Sequence, residues 1–113
     1  MIDVHRGDVC LVNLTSTVGS VQGGYRPVVV VQNDTGNHYS PTVLVVPLTS
    51  QHKKPLPTHV FIPIGIGNLK TDSTALTEQI QTVDKNQIER VVGTLSNKYI
   101  EAIDNAIRVS LAL

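Results

Sequence analysis

Tryptophan is missing from this sequence, and phenylalanine, methionine and cysteine occur 1 time each. With aromatics at 4%, few flat side chains are available to stack a run of nucleic-acid bases. A charge excess is missing as well, because 9 Lys and Arg balance 9 Asp and Glu. A protein that grips many phosphates through bulk attraction carries a basic surplus. Any nucleic acid bound here must therefore be held in a local groove and through its bases. The lone cysteine, Cys10, excludes a disulfide within the chain, which fits a reducing compartment. In its strand-like run it reads as a small buried hydrophobe rather than a nucleophile. No apolar run approaches the ~20 residues of a membrane-crossing helix, and the first residues lack the apolar stretch of a signal peptide. The expectation is a cytoplasmic chain folding as a single domain over residues 1–113.

What the chain does have is short apolar runs punctuated by Gly and Pro. Asp8 to Leu14 alternates loosely and predicts a first strand. Four β-branched residues, Val28 to Val31, predict a strand from Pro27 to Gln32 that is buried on both faces. Asn33 to Pro41 reads as a loop with a turn at Gly36-Asn37. Thr42 to Leu48 predicts a third strand, and Pro47, which has no N–H, points to an edge or a bulge there. Further strands are expected over His59 to Pro63, Ser73 to Leu76, Gln79 to Val83 and Ile88 to Leu95, the last with a bulge at Gly93. Asp84 to Gln87 reads as a polar turn. Ser96 is a suitable N-cap for a terminal helix whose Ile100, Ile103, Ile107 and Leu111 recur on one face. Many short strands with Gly/Pro turns and one terminal helix imply a mainly β fold, a small bent barrel with the helix packed on it. Propensity alone does not separate an SH3-like from an OB-like barrel.

The most informative stretch is Gly19 to Asp34, GSVQGGYRPVVVVQND. It joins a glycine-rich loop to the β-branched run, and Pro27 holds Arg26 extended at the junction. With Arg6-Gly-Asp-Val9 near the start and Glu78-Gln-Ile-Gln-Thr-Val-Asp-Lys85 late in the chain, it resembles the MazF/PemK-type toxins of toxin–antitoxin systems. The resemblance runs through nearly all of the chain, in order. It implies the SH3-like barrel of the MazF/CcdB superfamily. It also implies a ribosome-independent, sequence-specific endoribonuclease acting on single-stranded RNA such as mRNA, with no cofactor and no metal. It further implies a homodimer with RNA in a groove across the subunit interface, and a small antitoxin that lays an acidic segment into that groove.

RNA can be cut without a metal when its own 2′-hydroxyl attacks the adjacent phosphorus, leaving a 2′,3′-cyclic phosphate and a 5′-hydroxyl. The enzyme must help remove a proton, stabilise the phosphorane-like transition state and protonate the leaving oxygen. Arginine suits the stabilising role because its planar fork pairs two phosphate oxygens. The resemblance implies Arg26 as phosphate clamp and general acid, and Thr49 as a stabilising hydroxyl. Taken alone, these residues are equally a surface arginine and a strand-end threonine. The family usually reads Gly-Ser-Glu-Gln-Gly/Ala-Gly where this chain reads Gly19-Ser-Val-Gln-Gly-Gly24. Val21 stands where the favoured general base would be, and valine cannot take a proton. A missing base costs ~10²–10⁴ in rate, so slow cleavage is expected. The alternative is a catalytically impaired or non-catalytic homologue that still binds RNA or antitoxin.

By family position, Gln22, Asn33, Ser50, Ser73, Glu78 and Gln79 are the candidates for reading unpaired bases. Each also suits a cap or a turn. Lys53 and Lys54 are candidates for phosphates or simply a solvated loop. His5, His38, His52 and His59 are scattered without metal-ligand spacing. Of these, His38 and His52 sit in loops that can approach RNA, while His59, at a strand start, reads as structural. A gyrase poison on the same superfamily fold is a further reading, but its usual C-terminal aromatic and Ile are replaced here by Ser110-Leu-Ala-Leu113.

Overall fold

In the computed structural model, which describes residues 2–14, 24–51 and 54–113, the alternating and β-branched runs form an antiparallel sheet of 7 strands. They are β1 Asp8–Leu14, β2 Gly24–Val30, β3 Thr42–Thr49, β4 His59–Ile62, β5 Ser73–Leu76, β6 Gln81–Asp84 and β7 Ile88–Thr94. Two α-helices accompany them, α1 Asp34–Tyr39 and α2 Asn97–Leu111. The order across the sheet is β4-β5-β3-β2-β1-β7, with β6 paired to β3. This is the mainly β fold with a terminal helix that the sequence implies.

Strand alternation sorts the side chains into two cores. Cys10, Val12, Val28, Val30, Val43 and Val45 face one core together with Val83 and Ile88. Val9, Val29, Val46, Leu48, Ile62 and Ala75 face the other, which Ile103 of α2 completes. The β-branched run is therefore buried on both faces, as expected. Each such valine contributes about 1.5–3 kcal/mol of apolar burial. Cys10 is fully buried, and burial, aided by the nearby Asp8 charge, pushes its thiol up to about 12. That is the inert hydrophobe the sequence indicates.

Several expectations need correction. β2 begins at Gly24, so Arg26 lies within the strand, opposite Val12, rather than at its mouth. The region expected as a loop from Asn33 to Pro41 contains α1. Asn33 caps it by accepting from the Gly36 N–H at 2.8 Å. Buried Asn37 anchors it, donating to the Gln32 carbonyl at 2.9 Å and receiving the Lys85 ammonium on its own carbonyl. Pro47 does not mark an edge: β3 is an interior strand. Pro47 falls where β3 changes partner, from β6 along Thr42–Val45 to β5 at Leu48–Thr49, so a missing donor is tolerated there. The strand expected from Gln79 runs Gln81–Asp84, after a 3₁₀ turn over Thr77–Gln79. The polar turn after it is a 3₁₀ turn, Lys85–Gln87, closed by a reciprocal Asp84–Gln87 capping box. Ser96 occupies the N-cap of α2 with its side chain unengaged; its carbonyl accepts from Tyr99 and Ile100. Along α2, Ile103 is buried and Ile100 and Ile107 are half-buried, whereas Leu111 is exposed.

Arg6 ties the first turn to both helices. Its backbone N–H donates to Asp34 at 2.7 Å, its Nε reaches the Val31 carbonyl at 3.2 Å, and its guanidinium pairs with Asp104 of α2.

The bulge expected in β7 is present. Val9 faces Gly93 and Cys10 faces Val91, so Val92 is the extra residue. A Cβ on Gly93 would lie 2.4 Å from the Gly67 carbonyl oxygen and 2.6 Å from its carbon, which is backbone on both sides. Gly93→Ala is therefore expected to cost about 2–3 kcal/mol, read as a lower urea midpoint with an unchanged m-value.

Candidate functional site

The two strands that carry Arg26 and Thr49 are neighbours. β2 and β3 pair Val30 with Val45, Val29 with Val46 and Val28 with Pro47. Continuing that register two residues further brings Arg26 opposite Thr49, although the ladder itself ends at Val28 and Pro47. Beyond that point β3 pairs with β5, and Thr49 faces Thr74. Thr74 in turn faces Phe61 of β4. Partners across a sheet share a face, so Arg26, Thr49, Thr74 and Phe61 make one row over four adjacent strands. The row spans about 14 Å at ordinary strand spacing. It lies on the face opposite the one that packs under α2, because Leu48, Ala75 and Ile62 take up that other face.

Arg26 is half-buried. Thr49 holds the expected place but not the expected exposure: it is 2% exposed, and its Oγ1 accepts from the Gln51 N–H at 3.2 Å. Its hydroxyl proton remains available to donate.

The remaining candidates are divided. Gln22 and Val21 lie outside the described residues, as do His52 and Lys53. Ser50 is exposed and directly follows Thr49. Ser73 is buried at the start of β5, and its hydroxyl donates to the Thr71 carbonyl at 3.0 Å. Asn33 caps α1 at the far end of β2 from Arg26, so within one chain it does not join the row. Glu78 and half-buried Gln79 sit in the 3₁₀ turn that follows β5.

Glu78 is held by two residues from the start of β4. His59 Nε2 lies 2.9 Å from Oε2, and the Thr58 hydroxyl donates to Oε1 at 3.2 Å. Burial raises the Glu78 pKa. The His59 hydrogen bond, its own backbone N–H, the His59 charge and the Thr58 hydroxyl together outweigh burial and hold it below the ordinary 4.5. Behind it, the Thr77 N–H and hydroxyl both donate to the Thr58 carbonyl, at 3.1 and 2.6 Å. Thr77 has then spent its only hydroxyl proton, so Ser110 of α2 donates to it at 2.8 Å. The His59–Glu78 pair has no local signal, because the two residues are 19 apart and become neighbours only through β4–β5 pairing.

A carboxyl whose folded pKa is depressed contributes stability above its unfolded value and loses it as pH falls through the folded value. Below about pH 4.5 the wild-type chain is therefore expected to lose stability more steeply than Glu78→Gln, in parallel urea titrations from pH 6 to 3.

A cavity of about 430 Å³ opens beside this pair, lined by Ser50, Gln51, His59, Phe61, Asp72 and Thr74. It begins one residue beyond Thr49. Among the described residues, no helix is long and apolar enough to cross a membrane.

A small antiparallel sheet closed on one face by a terminal helix is an architecture shared with solved MazF toxins. A crystal structure of MazF from Deinococcus radiodurans superposes with a TM-score of 0.85 over 100% of both chains, at 19% identity. An endoribonuclease from a mycobacterial species, solved with its cognate antitoxin, superposes with a TM-score of 0.79 over 97% of this chain and 96% of that one, at 22% identity. At these identities the likeness is one of fold. In sequence, residues 5–111 match the model of the PemK-like, MazF-like toxins of type II toxin–antitoxin systems. The chain is also 49% identical over 111 residues to the endoribonuclease MazF of Staphylococcus saprophyticus, covering 97% of this chain and 92% of that protein. The chain belongs to the PemK-like, MazF-like toxin family.

Proposed function

We propose that this chain is the toxin of a type II toxin–antitoxin pair and acts in the cytoplasm as a sequence-specific endoribonuclease on single-stranded RNA, without a metal. The observation that supports the reading is that adjacent strands β2 and β3 carry Arg26 and Thr49 just beyond their last pair, Val28 with Pro47, in a chain 49% identical to an endoribonuclease. Arg26 clamps the scissile phosphate, spreads the charge of the transition state over its planar fork and delivers a proton to the leaving 5′-oxygen. Thr49 adds a hydrogen bond by donating the hydroxyl proton that the Gln51 N–H leaves free. The substrate's 2′-hydroxyl is the nucleophile, and Val21 leaves its deprotonation without a carboxylate. The working form is a homodimer, with RNA and the cognate antitoxin competing for one groove. Ser50, Ser73, Glu78, Gln79, Gln22 and Asn33 contribute to base reading, Asn33 from the other end of β2. Primer extension on a long RNA, with EDTA present, tests the reading. The expected result is recurrent cuts at one short sequence, with new 5′ ends that a kinase labels without prior phosphatase. Stops scattered without a common sequence, or their loss in EDTA, would reject it.

A second reading is favoured by Val21 and by the burial of Thr49: a binding module that retains the groove and has lost the chemistry. Measurable RNA affinity with no product after long incubation would select it.

A further inference from the structure

We infer that the cavity between the end of β3, β4 and β5 receives one unpaired base bearing an exocyclic amino group, stacked on Phe61 and read by His59. The inference rests on the endonuclease reading and names a specificity-determining residue for it.

Four observations lead there. First, the His59 side chain is 8% exposed and lines the cavity, yet its Nδ1 has no hydrogen-bond partner among the described residues. A buried polar atom left unpaired is costly, and a ligand that satisfies it recovers that loss. Second, the ring is oriented. Ionised Glu78 can only accept, so His59 Nε2 carries the proton toward it, and in the neutral ring Nδ1 is an acceptor. Third, Phe61, the only phenylalanine of the chain, is 60% exposed at the cavity wall. An apolar ring presented to solvent beside an unpaired polar atom fits a flat partner with a polar edge. Fourth, the lining includes the carboxylate of Asp72 and, among the described residues, no Lys or Arg. Asp72 already accepts from the Ile64 N–H at 2.8 Å, and its carboxylate retains acceptor capacity.

The acceptors in the wall, with no Lys or Arg among the described lining residues, suit a phosphate or an acidic peptide poorly. They favour a base edge that donates. Adenine, cytosine and guanine offer amino groups; uracil offers a single ring N–H flanked by carbonyls. The volume is ample for one base. Because Phe61, Thr74, Thr49 and Arg26 share one row, the base in this cavity lies within a few nucleotides of the scissile phosphate.

Deep sequencing of products from a randomised RNA library, with kinetics on the best site, tests this on the wild-type chain and two variants. His59→Gln keeps a donor toward Glu78 and lacks the Nδ1 acceptor. It is expected to lose about 10-fold of the discrimination against uracil at one position of the site, with preferences elsewhere retained. Phe61→Ala, at an exposed position, is expected to raise KM about 10-fold with kcat nearly unchanged. Wild-type base preferences and KM in both variants overturn the inference and leave the nuclease reading standing. A wild-type chain that leaves the library intact overturns the nuclease reading, and this inference with it.

Discussion

Arg26→Ala is expected to lower the single-turnover rate of RNA cleavage about 10²–10³-fold, the usual cost of removing one preorganised stabiliser of transition-state charge. The expectation follows from placement. β2 holds the Arg26 backbone in register opposite Val12, and the β2–β3 register, continued past its last pair at Val28 and Pro47, leads toward Thr49. Arg26→Lys should recover only part of the rate, because a point charge cannot match two phosphate oxygens at once. Thr49 supplies one neutral hydrogen bond, and Thr49→Val preserves its buried shape. About 10-fold is expected there, in line with the net worth of such a bond. KM should move little in either variant if the contacts tighten mainly in the transition state. Undiminished cleavage by both Arg26→Ala and Thr49→Val, in EDTA and with melting temperatures preserved, would remove the assignment.

Val21→Glu is expected to act in the opposite direction. A carboxylate at this position restores a group able to take the 2′-hydroxyl proton, and general-base catalysis contributes ~10²–10⁴ in rate. The acceleration should appear in the chemical step, as a single-turnover rate that climbs with pH through the carboxylate range and then levels. RNA affinity, measured on an oligonucleotide with a 2′-O-methyl group at the cleavage site, should change little. An unaltered rate in Val21→Glu would mean that proton removal from the 2′-hydroxyl does not limit this enzyme.

Much of the fold was legible because its signals are local. The β-branched run Val28 to Val31 announces a strand buried on both faces, and its valines do alternate between two cores. The isoleucines of α2 recur at helical spacing, and Ile103 is buried. The features that were not legible depend on distant partners. α1 consists of Asp-Thr-Gly-Asn-His-Tyr, a poor helix former. It forms because Asn37 is buried against Gln32 and receives Lys85 from 48 residues away. The one local cue was Asn33, placed as a cap. Pro47 points to an edge or a bulge from sequence, and nothing in β3 alone reveals its two successive partners, β6 and then β5. The site divides the same way. Arg26 and Thr49 stand out through resemblance, and strand order puts the two strands that carry them side by side. His59 looked structural at a strand start, and its pairing with Glu78 required β4 to be laid beside β5.

The hydrogen bond from Ser110 to Thr77 has a practical corollary. The last turn of α2 is fastened to the residue beside Glu78, and Thr77 is itself fastened to Thr58. An affinity handle appended after Leu113 that frays this turn would slacken the loop carrying Glu78 without touching RNA. Such a fusion should blur which sequences are cut, and kinetic work on this toxin is better served by a tag that is cleaved from its carboxyl end before assay.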